Sequence, residues 1–125
     1  MKIQGKFNIT GGTKQQRQIT ESVIRWCFIN KVVVRHGIDI NVKICKYVTH
    51  QCWGSVVDAE DNWSFTEFDM TIANNQSIRD FIATIMHEMV HVNQYITGEW
   101  EGDGEAECVA RQYELADQYW KEGNL

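Results

Sequence analysis

From Ile78 to Ile96 apolar residues recur at steps of four and three, as Ile78, Ile82, Ile85, Met89, Val92 and Ile96. Ser77 followed by Asp80 resembles a capping box at the start, and Gly98 stands where a left-handed C-terminal cap belongs. A helix of that length with one apolar stripe is stable only if other elements cover the stripe, so the remaining chain must supply a packing surface. No proline, internal repeat or low-complexity segment divides the 125 residues, and 43 % of them are apolar. Residues 1–125 are therefore expected to pack as one domain.

The packing partners are legible as periodicities. In "TKQQRQITESVIRWCFIN", Ile19, Val23, Trp26 and Cys27 fall at helical intervals, while Lys14, Arg17, Glu21 and Arg25 take the solvent side; this helix is expected to end near Gly37. "IDINVKICKYV" alternates Ile38, Ile40, Val42 and Ile44 with polar residues, the period of a strand with one buried face. "CWGSVVDAEDNWSFTEFDMTIANN" supplies two more strands around the turn-forming "AEDN", the second marked by Phe68, Met70 and Ile72. Three short strands in succession suggest an antiparallel meander. A last helix, "EAECVARQYELADQYW", places Ala106, Val109, Ala110, Tyr113, Ala116 and Trp120 on one stripe. The fold class is α+β, in the order α-β-β-β-α-α.

Charge and cysteine content narrow the function classes. The net charge of −5 and the lack of a Lys/Arg cluster disfavour a phosphate-backbone partner. No apolar run is long enough to span a bilayer, and "MKIQGKFNITGG" lacks the features of a signal peptide, so a soluble, cytoplasmic chain is expected. Cys27, Cys45, Cys52 and Cys108 show no zinc-knuckle spacing and read as buried, reduced thiols, with a metal or disulfide role for Cys45 and Cys52 as the alternative.

The capped helix carries "HEMVH". At 100° per residue His87 and His91 lie one above the other, so two imidazole nitrogens can meet one metal ion. Glu88 lies just aside, where a carboxylate can act on a water without displacing it, a spacing that fits zinc-assisted hydrolysis. A catalytic zinc usually has three protein ligands. No histidine follows His91, and Gln94 and Thr97 stand where the metzincin extension would place its glycine and third histidine. Glu99 and Glu101 fall in the following turn, and Asp103 suits an N-cap. Glu105 lies nearer the Val109, Tyr113 and Ala116 stripe and is chosen as third ligand; loop length favours Glu107, which the wheel turns toward solvent. Tyr113 and His50 are weaker candidates for stabilising an oxyanion, Tyr113 reading first as core. His36 reads as solvated, and Trp53, Trp63, Trp100 and Trp120 as core or cleft lining.

"HEMVHVNQY" followed by "EAECVARQYE" resembles a zincin metallopeptidase of the gluzincin type, with an SprT-like flavour to "HEMVH". Small phage-encoded members are the most similar in size, which would place the chain in a host cytoplasm. The resemblance implies a minimal zincin-like fold made of a helix, a three-stranded antiparallel sheet, the HExxH helix and a C-terminal helix. It also implies zinc as cofactor, Glu88 as general base toward a zinc-bound water, and a protein or peptide substrate laid along an edge strand, a role "FDMTIANN" could serve. The third histidine and zinc ribbon common in SprT-like proteins are absent, and Val109 stands where gluzincins tend to place Asp or Asn. Neither a membrane nor a nucleic acid is an expected partner, and a monomer is expected. The alternative, from another class, is a non-catalytic binding module in which zinc fixes the last helix against the two histidines.

Overall fold

The computed structural model describes residues 5–46, 53–59 and 64–123. Seven elements follow one another: β1 (Phe7–Gly11), α1 (Lys14–Ile29), β2 (Asp39–Cys45), β3 (Gly54–Asp58), β4 (Glu67–Ala73), α2 (Ile78–Thr97) and α3 (Glu105–Lys121). The chain is an α+β domain of three helices and a four-stranded mixed sheet in the order β1-β2-β4-β3.

The sheet corrects the expectation of a three-stranded antiparallel meander. β1 adds a strand that "FNITG" scarcely announces, because only Phe7 and Ile9 alternate before Gly11 and Gly12 break the pattern. It runs parallel to β2, and α1 forms the crossover that a parallel pair requires. β2 and β4 are also parallel, placing Ile40, Val42 and Ile44 beside Phe68, Met70 and Ile72. Among the described residues only β3 and β4 pair antiparallel. Periodicity identifies which residues face the core, but it carries no information about which strands become neighbours.

One face of the sheet is buried under α1 and α2, and the other carries a polar ladder in which Asn41 bonds Asn8, Glu67 and Asp69. α1 starts at a capping box between Thr13 and Gln16. It stops at Ile29, earlier than expected, because the Val32 N–H turns back onto the Cys27 carbonyl and carries Val32 and Val33 into the core. α2 follows its sequence signals closely: the Ser77 side chain accepts the Asp80 N–H, and Gly98 closes the helix at φ 70°. Its buried surface is wider than one stripe. Phe81, Ala83, Met86 and Val90 are buried beside Ile82, Ile85, Met89 and Val92, since α2 is covered by the sheet, α1 and α3.

The buried face of α3 differs from the expected stripe. Cys108, Leu115, Ala116 and Tyr119 point inward, whereas Val109, Tyr113 and Trp120 are exposed. Gln112 lies on the inward face, against His87, and interrupts its apolar pattern. Tyr119 donates a hydrogen bond to Ser22, and Trp26 donates to Glu122, fixing α3 against α1 at its far end. No helix among the described residues is long and apolar enough to cross a membrane.

Candidate metal centre

α2 presents His87 and His91 one turn apart, with ring centroids separated by 5.1 Å. Both imidazoles are oriented from behind. His87 Nδ1 lies 2.7 Å from Gln112 Oε1 on α3, and His91 Nδ1 lies 2.9 Å from Gln94 Oε1 on α2. An amide oxygen only accepts, so each Nδ1 is placed to donate to it, and each Nε2 faces forward. Both Nε2 atoms meet the same group. Glu105 Oε2 is 3.0 Å from His87 Nε2, and Glu105 Oε1 is 2.7 Å from His91 Nε2.

The structure therefore brings His87, His91 and Glu105 together, across the loop between α2 and α3. Glu105 shares the inward face of α3 with Cys108 and Gln112, so it faces α2 even though Val109 and Tyr113 do not. Burial raises its carboxyl, but the two imidazoles outweigh that and hold it below the ordinary carboxylate range. Glu88 stands beside the rings, only 5 % exposed. Burial pushes its carboxyl up to about 7, against a downward pull from His87 and His91 and an upward push from Glu105. A carboxyl titrating there can both take and return a proton near neutral pH.

Cys108 is a member that sequence reasoning missed. Its Sγ and one ring nitrogen from each of His87 and His91 all lie within 4.8 Å of one another, a cluster that could hold a metal ion. The thiol is fully buried and pushed up to about 12 by burial and then by Glu105, Glu88 and Glu107, so without a metal it stays protonated and is no nucleophile. The available signal was its position three residues after Glu105, on the same side of α3. Cys27 and Cys45 are free thiols, Cys27 buried in contact with Met86; the suggested partner Cys52 lies outside the described residues.

A second layer ties the two helices together. Gln94 Nε2 donates to the Gly104 carbonyl at 3.0 Å and to Glu107 Oε1 at 2.9 Å. Glu107, expected at the solvent side, is exposed but serves as an anchor for Gln94 and pairs with Arg111. Gly104, not Asp103, is the N-cap of α3; the Asp103 carboxylate instead accepts the Glu105 N–H at 3.0 Å. Gly104 has φ 80°, and a Cβ there would collide with the Gln94 amide. Gly104→Ala is expected to cost more than about 2 kcal/mol in chemical denaturation, from left-handed strain plus that collision. Gly102→Ala, at φ 59° with open space around it, should show the strain alone. Equal losses in the two variants would remove Gln94 from the account.

Two cavities flank the centre and share Gly54, Glu88 and Glu105. One, of about 370 Å³, is lined by Val56, Tyr95 and Trp100; the other, of about 580 Å³, by Trp53, Gln76, Asp80, Thr84 and Tyr113. The edge strand beside the first cavity is β3, which corrects the expectation for "FDMTIANN": its residues 68–73 lie in β4, which pairs with β2 on one side and β3 on the other. Gly54 lets β3 approach closely, because a Cβ at that position would lie 2.7 Å from Thr84 Cγ2 and 3.3 Å from Glu88 Cγ. Tyr113 is at the surface rather than in the core, donating to Asp80 at 2.7 Å with Arg79 over its ring. His36, expected in solvent, is half-buried against Phe28. Trp53 and Trp100 border the cavities, whereas Trp120 is exposed on α3. His50 and Trp63 lie outside the described residues.

Comparison with protein-family models, curated proteins and solved structures yields no match. The functional reading therefore rests on the residues themselves.

Proposed function

We propose that the chain is a zinc-dependent metallopeptidase of zincin-like, gluzincin-type build with an SprT-like motif, acting on peptides or unfolded proteins in the cytoplasm. One observation carries the reading: the Nε2 atoms of two imidazoles held from behind by glutamine amides converge on one carboxylate, at 3.0 and 2.7 Å. Left neutral, that arrangement is repulsive. It is satisfied either by protonating both rings or by a cation held among them, and the Gln94 and Gln112 contacts favour the rings as lone-pair donors. Imidazole, carboxylate and thiol are all zinc ligands, and the set is too soft for magnesium or calcium.

His87, His91 and Glu105 would hold the metal, and Gln112 and Gln94 keep the rings aimed. A bound zinc supplies Lewis-acid polarisation of a carbonyl and acidifies water. Glu88 takes a proton from the water that attacks the scissile carbonyl. It returns that proton to the amine nitrogen as the C–N bond breaks. Among the described residues β3 is an edge strand of the sheet, where an extended peptide could align, its side chains entering the two cavities. Zinc analysis of the purified chain, combined with cleavage of an unfolded protein before and after chelation, tests this reading. We expect about one zinc per chain and cleavage lost on chelation; less than about 0.2 zinc per chain after zinc is offered would overturn it.

The non-catalytic module keeps a specific support in Cys108. Four protein ligands and no open position are the mark of a structural zinc.

A further inference from the structure

We propose that Cys108 is a fourth protein ligand to the metal, and that its thiolate closes the metal position from the core side in the resting protein. The inference rests on the metal reading above and adds a regulation of that same site. Glu105 is half-exposed and meets the two Nε2 atoms from the solvent side. Cys108 is fully buried, and its Sγ lies within 4.8 Å of one ring nitrogen of each of the same two histidines. α2 offers two donors, and α3 offers Glu105 on the two Nε2 atoms and Cys108 in a cluster with both rings, so a cation held between the helices would have two nitrogens, one oxygen and one sulfur to draw on. Four such ligands would complete a tetrahedral set, whereas a hydrolytic site needs one position free.

The exchange balances without an oxidant or reductant. On metal binding the S–H bond breaks, the S–metal bond forms, and the proton leaves to solvent. On opening, the S–metal bond breaks, the sulfur regains a proton, and the vacated position becomes available to water. The resting protein is therefore expected to be a slow peptidase that speeds up when the sulfur is removed.

X-ray absorption at the zinc edge of the zinc-loaded full chain tests ligation without any variant. A sulfur at about 2.3 Å beside nitrogen and oxygen at about 2.0–2.1 Å is expected. Zinc bound by nitrogen and oxygen alone overturns the role of Cys108 and leaves His87, His91 and Glu105 as the ligands. A chain that binds no zinc overturns both readings. Cys108→Ala and the closer-fitting Cys108→Ser should lose the sulfur signal, bind zinc about 10–100-fold more weakly, and cleave an unfolded protein about tenfold faster than wild type at saturating zinc. Sulfur ligation with neither variant faster overturns the closure and assigns the metal to structure.

Discussion

Glu88→Gln is expected to lower kcat/KM by roughly 10²–10⁴-fold while leaving zinc content unchanged. The amide occupies the same buried volume between the two cavities, so the imidazoles and Glu105 keep their places, but it cannot take a proton from water. A variant that loses its zinc as well would show that Glu88 supports the ligands rather than the reaction. The same substitution has a second signature in the metal-free protein. Folding raises the Glu88 carboxyl from 4.5 to about 7, chiefly by burial, so between those values the folded chain holds more proton than the unfolded one. Its contribution to stability is complete below about 4.5 and is lost as pH rises through about 7. Chelated wild type should therefore become less stable across that interval by denaturant midpoint, and Glu88→Gln should lack that part of the decline. A variant with the same pH slope as wild type would place the titration on another group.

Glu105→Gln is expected to weaken zinc binding by more than the 10–100-fold typical of disturbing outer-shell partners, because among the described residues Glu105 is the carboxylate that touches both imidazoles. Glu107→Gln is the informative comparison. Its side-chain oxygen can still accept from Gln94, so stability should stay within about ±0.5 kcal/mol of wild type and zinc affinity should fall far less than in Glu105→Gln. Competition with a chelator of known affinity separates the two. A larger loss in Glu107→Gln would mean that the Gln94 bridge to His91, not the Glu105 carboxylate, governs the centre.

What could be read from the chain alone is what depends on neighbours three and four residues away. Ser77, Gly98 and the apolar recurrence place α2, and the same helical geometry puts His87 above His91 with Glu88 beside them, before any tertiary contact is known. Strand residues that face the core were legible in the same way, since the period of two marks Ile40, Val42, Phe68 and Met70 whatever their partners. Sheet order was not, because β1-β2-β4-β3 is settled by the crossover through α1 and by which edge β3 can reach. The rotation of α3 was also beyond the sequence: a wheel counts Val109 and Tyr113 as core and Gln112 as an intruder, while the fold turns Gln112 inward to meet His87. Only that rotation brings Glu105 onto both rings and Cys108 beside them. Hydrophobicity periods describe each helix against an average interior, whereas a polar centre is defined by which two helix faces meet, and that is decided by packing.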